Sequence, residues 1–595
     1  MRAYICAVAG DRPAIKKMMQ TVGHNGRYPC HFCQFSGTRL DRAKHNYYPH
    51  VSCRNMPRKA EAWENRNWDM DNLPLRKNMK RDMLQWLVQM TRSCGLLLDF
   101  QDLMHLVCEN ISALMFNLWD GRVPCGSADG HEDEEDPDDR DADQPDQTDI
   151  SESETEEDAA DPRQRKPKKN KTKKKSAKPV HAPKPKKLRA DDAYVLSKRT
   201  MAELGEDMRN CRRNVPGALG RAPRNVAKNS ARFKATEWSL WMSLYSVPLL
   251  HGRLPEKYVD NWETLCEAYV LSIELELPQS DIARVRELFK RFVRDHEQLY
   301  FKGQYNRLNL CPSSLHMLLH IADCIEHLGP AWVFWAFAME RVCNILAPQA
   351  RSKSNLNASL AGAVLLGEQL RHFQFVRRTS PAFAAFLKPP DPSRLFDPHE
   401  TEHGWLIAPG NRFRLSAKVH RDLVEYFHST ITGTARTLPA NGDTVPKELA
   451  VYKRFQLSNG RDMLGSRLSQ HKSDTTRASN IILYIQQVVE GGAHEVFFGE
   501  IDCFACPTFN GYSHPLAYVR CYGNAQLCRG RFYIVDTKPP GNLHEWVHLG
   551  AIERLVGTMT TKELASQQGR GRKLAWIIDR QTFAWNSAAK LIADM

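Results

Sequence analysis

The stretch from Gly126 to Ala190 constrains this chain more than any other. It is almost free of large apolar residues: His131–Asp161 carries 17 acidic residues and one Arg, and Arg163–Arg189 carries 14 Lys or Arg. Such a composition cannot bury enough surface to offset chain entropy, so residues 123–192 are expected to form a disordered linker. The globular parts must then lie on either side of it. A length of 595 residues also calls for several units rather than one core. The formal charge of +14 favours an anionic partner, and because the two charged blocks nearly cancel, the excess sits on the rest of the chain. The basic block has the composition of a nuclear localisation signal or a nucleic-acid tail, so a nuclear location is expected.

No apolar run approaches the roughly 18 to 20 residues needed to span a bilayer. Met1–Gly10 is too short and too weakly cationic for a signal peptide. These readings point to an intracellular protein without membrane contact, in which 16 cysteines serve as thiols or metal ligands rather than disulfides. No repeat of fixed period suggests a solenoid.

Before the linker, "YICAVAGDRPAI" reads as a buried strand ending at Asp11, with a helix starting near Pro13. "DFQDLMHLVCENISALMFNLWDG" has apolar positions at helical spacing. After the linker, residues 193–310 read as amphipathic helices broken at Pro248, Pro255 and Pro278, with Trp and Leu stripes assigned to packing. Residues 376–480 form a connecting region. From Ile481, "IILYIQQVV", "EVFFGEI", "LAYVRCY" and "RFYIVD" are short β runs split by Gly, Asn and Pro, giving a separate small β-rich domain over 481–595.

Residue types able to do chemistry lie at both ends of the linker. Asp11 places a carboxylate at a strand tip, where it could hold a metal. Cys30 and Cys33 form a Cys-x-x-Cys pair on a loop, and His316 and His320 stand four apart on one helix face. Together they would complete a Cys2His2 zinc site that staples the two halves of the chain. Glu340 lies in a segment of Trp, Phe, Ala and Met; it is either paired with a cation such as Arg341 or turned toward a metal. Cys503, Cys506, Cys521 and Cys528 are spaced too loosely to define a second zinc site.

"GDRPA", "CHFC", "DLMHLVCEN", "SLHMLLHIADCIEHLGPAWVFWAFAMERVCNIL" and "RSKSN" resemble the transposases of CACTA (En/Spm) type elements, particularly those of fungal genomes. The resemblance covers roughly residues 1–375 apart from the linker. It implies an α/β, partial RNase H-like fold of the DDE type, with residues 1–122 and 311–375 forming the core around a large helical insertion. The order of motifs is similar to that in the catalytic chain of the V(D)J recombinase. By this resemblance Asp11 is the second catalytic aspartate and Glu340 the final glutamate. Cys30, Cys33, His316 and His320 are structural Zn2+ ligands. Asp102 and His105 match an Asp-x-x-His signature that either orients the active site or caps and packs a helix. The implied chemistry is in-line displacement at phosphorus assisted by two Mg2+ or Mn2+ ions, which choose carboxylate oxygens.

By the same resemblance the sequence begins at what would be the fourth strand and lacks the first catalytic aspartate, through real truncation or a misplaced start codon, so no independent catalysis by this chain is expected. The implied partner is DNA at transposon ends, with a homo-oligomer an open alternative. Competing readings are a non-catalytic nuclear DNA-binding protein or a zinc-stapled scaffold. For the former, "GALGRAPRNVAKNSARFK" offers Arg221, Arg224 and Lys228 as phosphate contacts, with an ordinary solvated loop as the other reading of that strip.

Overall fold

The computed structural model of the protein describes residues 26–54 with short breaks, 70, 102–123, 192–349, 355–377, 399–431 and, with short breaks, 445–583. Asp11, the strand and helix expected around it, and residues 124–191 of the expected linker lie outside the described residues.

Helices dominate the first part. Helix α1 starts as the π-wound turn Met104–Ile111 and continues as Ser112–Trp119. Ser197 caps α2, Lys198–Asn210, by accepting the Thr200 N–H. Helix α3 runs through Ala235–Leu240, a π-wound Trp241–Tyr245 and Ser246–Leu250. Pro255 and Pro278 directly precede α4, Glu256–Ser272, and α5, Gln279–His296, as expected of helix-starting prolines. Pro248, expected to break a helix, instead sits inside α3. The preceding turn widens into π geometry there, one of the ways a helix takes up a residue without an N–H. Helix α5 ends in the π-wound Glu297–Phe301, and α6 comprises Ser313–Met317, a tightened Leu318–His320 and Ile321–Leu328.

The tryptophans pack as expected. Trp119, Trp241 and Trp262 are fully buried in one core, Trp119 meeting Trp262 edge-on with ring centres 5.0 Å apart. Their polar tips are provided for where the fold allows: Trp119 Nε1 donates to Tyr300 (3.2 Å) and Trp262 Nε1 to Ser246 (2.8 Å). Helices α7, Phe337–Leu346, and α8, Leu356–Arg377, differ from the rest. Helix α7 buries none of its side chains, and Val342, Ile345, Leu365, Leu366 and Leu370 are all exposed.

Besides a two-residue hairpin, Thr508–Phe509 with Tyr512–Ser513, the described strands are β1 (Thr38–Arg39), β2 (Asn46–Tyr47), β3 (His399–Thr401), β4 (Gly404–Arg414), β5 (Glu448–Leu457), β6 (Met463–Gly465), β7 (Ile481–Gln487), β8 (His494–Ala505), β9 (Leu516–Cys521), β10 (Gln526–Cys528), β11 (Phe532–Asp536), β12 (His544–His548), β13 (Ile552–Leu555), β14 (Gly557–Met559) and β15 (Leu574–Ile578). Strands β1 and β2 form a small hairpin next to the Cys-x-x-Cys loop. Among the described residues a nine-stranded antiparallel sheet runs β12-β9-β8-β5-β4-β3, with β7 on β8, β13 on β7 and β6 on β5; β10-β11-β15-β14 form a second sheet. Helix α9, Ala417–Ile431, lies on the larger sheet, where Trp546 Nε1 donates to the Val419 carbonyl at 3.2 Å.

All four β runs read from Ile481 onward are strands, but the sheet begins earlier, at His399. Strand β4 hides in the sequence because Pro409 sits in it beside a register shift, and β5 because two consecutive exposed cations, Lys453 and Arg454, interrupt its alternation of buried and exposed positions. Nor does the β region stand apart. Phe532, Met559, Trp576 and Ile578 belong to the same apolar core as α1 to α6. Arg529 sends its three guanidinium nitrogens to Glu256, Asp260 and Glu263 of α4, and Arg531 reaches Glu267 at 2.9 Å. Arg477 donates to the carbonyls of Val215, Pro216 and Gly220 at 2.6 to 2.7 Å. Among the described residues no helix is long and apolar enough to cross a membrane.

Candidate metal centre

Cys30, Cys33, His316 and His320 converge from opposite sides of the charged stretch, all four buried and their ligand atoms all within 4.8 Å of one another. Cys30 Sγ lies 3.3 Å from His320 Nε2, Cys33 Sγ 3.3 Å from His316 Nε2, and the two Nε2 atoms 3.3 Å apart. A tetrahedral ion with bonds of about 2.05 Å to nitrogen and 2.3 Å to sulfur sets its ligands about 3.3 Å (N to N) and 3.6 Å (S to N) apart. The four donors therefore fit a zinc-sized ion by chemistry and by spacing.

The local fold explains the convergence. The loop turns so that the N–H groups of Phe32 and Cys33 point at Cys30 Sγ (both 3.4 Å), which favours the thiolate. On α6 the two His are one turn apart, and the ring of Phe35 stacks on His316 (4.2 Å) and that of Phe32 on His320 (4.8 Å). Burial pushes the Cys30 thiol up, but the hydrogen bond with Cys33 and the fields of His320 and His316 outweigh it and hold the group well below the usual thiol range. Burial keeps His316 neutral, its pKa pushed down to about 4. For His320, burial opposes charging, but the Cys30 thiolate and Asp323 prevail and raise it to about 9. Without metal the His320 proton thus compensates the thiolate, and a cation held by the four side chains would replace it.

Two residues with no sequence signature stand behind His316. His50 Nε2 lies 3.1 Å from His316 Nδ1, and His50 Nδ1 lies 2.9 Å from Glu297 Oε1. Both are buried. Only a lone His after "YYP" and a Glu in a charged helix marked them in the sequence.

A second constellation opens α1. Asp102 accepts the N–H groups of Met104 (3.2 Å) and His105 (3.3 Å), capping the helix, and its carboxylate also engages His105 Nδ1. The Ala336 N–H donates to Asp102 Oδ1 at 2.8 Å, which ties the start of α7 to the start of α1. As a result Glu340, in the first turn of α7, places Oε1 3.5 Å from His105 Nε2, and Glu109 comes within 4.0 Å of the same atom. Asp102 thus caps the helix, one of the two roles left open by the sequence, and His105, held by Asp102, faces Glu340. Glu340 is exposed, not buried, because its apolar neighbours on α7 are themselves exposed; its carboxylate turns to His105 rather than Arg341. The hydrogen bond with Asp102 raises the His105 pKa above its ordinary value, burial opposing. Burial likewise raises that of Glu109.

The other candidate residues are placed elsewhere. Arg224 makes a two-pronged pair with Glu237 (2.5 and 2.6 Å), Arg221 lies 3.8 Å from the same carboxylate, and Lys228 pairs with Glu206 at 3.0 Å. All three face carboxylates of the fold while their own side chains stay exposed. Cys503 and Cys521 lie on the larger sheet and Cys528 on the smaller, and the four loosely spaced cysteines form no metal-competent group among the described residues. Glu402, His403 and His548 do gather, but His548 Nδ1 already accepts the Gly550 N–H at 3.2 Å.

Comparison with protein-family models, curated proteins and solved structures yields no match.

Proposed function

We propose that this chain is derived from a DDE-type transposase with an RNase H-like core, whose ancestral activity was metal-dependent cleavage and joining of DNA strands. The observation that carries the reading is the meeting of Asp102, His105 and Glu340, brought together from widely separated segments in a body that also holds the Cys2His2 cluster. The same residues bear the motif resemblance to CACTA elements. In this reading the Cys2His2 group holds Zn2+ as a structural staple, and Glu340 supplies a carboxylate for Mg2+ or Mn2+. Those ions would stabilise the attacking and leaving oxygens at phosphorus. Asp102 orients His105 and fixes α7, and the partner is DNA. Asp11, the second aspartate by resemblance, lies outside the described residues. A nuclear location driven by Arg163–Arg189 belongs to the same proposal.

The rival reading of a DNA grip through Arg221, Arg224 and Lys228 has less support, since a phosphate would have to displace Glu237 and Glu206. Mn2+ binding followed by electron paramagnetic resonance tests the proposal. Binding by the whole chain that is lost in Glu340→Gln is expected. No binding, or binding that Glu340→Gln and Asp11→Asn leave unchanged, would overturn it.

A further inference from the structure

We propose that Glu297 and His50 form a positioning relay that fixes the ring of His316 in the tautomer presenting Nε2 to a metal. This rests on the reading of Cys30, Cys33, His316 and His320 as a metal centre. Glu297 Oε1 receives the His50 backbone N–H at 2.7 Å and faces His50 Nδ1 at 2.9 Å, while Oε2 receives the Val51 N–H at 3.1 Å. A carboxylate only accepts, so His50 Nδ1 is the donor in that contact. A neutral His50 ring then carries its lone pair on Nε2, which faces His316 Nδ1 at 3.1 Å. His316 Nδ1 must therefore donate, and its own lone pair is left on Nε2, the atom that faces Cys33 Sγ and His320 Nε2. Each contact determines the next, from the carboxylate to the ligand atom.

The setting makes the relay rigid. His50, Glu297 and His316 are each 1% exposed or less, so no water competes for these bonds. Phe35 packs on both rings, with centres 4.2 Å from His316 and 4.6 Å from His50. Glu297 opens the π-wound end of α5, so the relay also fastens the segment bearing the cysteines to the helical body. Carboxylates one step behind a ligating imidazole sharpen its basicity and orientation, and their loss typically weakens metal binding 10- to 100-fold. Here an extra imidazole stands between the two.

The test measures Zn2+ affinity of the full chain by competition with a chromophoric chelator, together with the ligand-field bands of the Co2+-loaded chain. His50→Ala and Glu297→Gln are expected to keep one metal per chain and an unchanged far-ultraviolet spectrum, to lose affinity about 10- to 100-fold, and to shift the Co2+ bands. Should His50→Ala fail to fold, Glu297→Gln alone decides. Wild-type affinity and bands in either folded variant, with metal lost in Cys33→Ser, would overturn the relay and leave the metal centre standing. A wild-type chain that takes up no Zn2+ would overturn the metal centre and the relay with it.

Discussion

Glu340 Oε1 rests 3.5 Å from His105 Nε2, on the far side of the imidazole from the Asp102 carboxylate. The ring is thus held between acidic groups at both nitrogens, with Glu109 at the margin. This arrangement has a measurable pH signature. A His whose pKa is raised on folding stabilises the fold fully below its unfolded pKa of about 6.5, and that stability is lost as pH rises through the folded value. Asp102→Asn removes the principal cause of the shift. The His105 titration followed by nuclear magnetic resonance should then move down, and the urea midpoint of the variant should depend less on pH than that of the wild type above about pH 6.5.

Removal of zinc is the second expectation. Cys33→Ser, or chelation of the wild type, should lower the melting temperature and release one zinc per chain, because a metal bound only by the folded state contributes directly to folding. Calorimetry with and without chelator measures it. An unchanged transition in chelator would show that the four side chains pack without a metal.

Arg529 is expected to be the main electrostatic tie between the helices and the sheets. Arg529→Ala leaves Glu263, largely buried, with fewer cations, and should cost about 3 kcal/mol in urea unfolding. Arg529→Lys should recover little of this, since a single ammonium cannot serve three carboxylates as the planar fork does.

Gly404 opens β4 at φ +144°, and a Cβ there would run into the Gln456 carbonyl oxygen of β5. Gly404→Ala should therefore destabilise the sheet by about 2 kcal/mol or more, and β3, which is hydrogen-bonded to β4 alone among the described strands, should be the first to lose amide protection in hydrogen exchange.

The four side chains of the candidate metal centre were legible because a Cys-x-x-Cys loop and two His one helical turn apart leave spacing in the sequence itself. Trp119, Trp241 and Trp262 were legible as core for the same reason, through periodicity. His50 and Glu297 were not, since a residue that acts through another needs only proximity in space and obeys no spacing rule. The partner of Glu340 was not legible: the apolar character of its neighbours reports what α7 would prefer to bury, not whether a surface covers it or which side chain it meets. Strands β4 and β5 escaped because their pairing tolerates Pro409 at an irregularity and two consecutive exposed cations, Lys453 and Arg454, that break the alternating pattern.

The Cys33 to His316 contact spans 283 positions. A ribosome adding roughly 5 to 20 residues per second takes on the order of 15 to 60 s between the two. Through that interval the nascent chain offers a pair of thiols without their imidazole partners. A neighbouring Cys-x-x-Cys pair of this kind takes soft metal ions, or closes on itself when oxidised. A metal held by the four side chains would therefore be completed only after His316 has emerged, so the redox state of the two thiols during synthesis bears on whether the site can form.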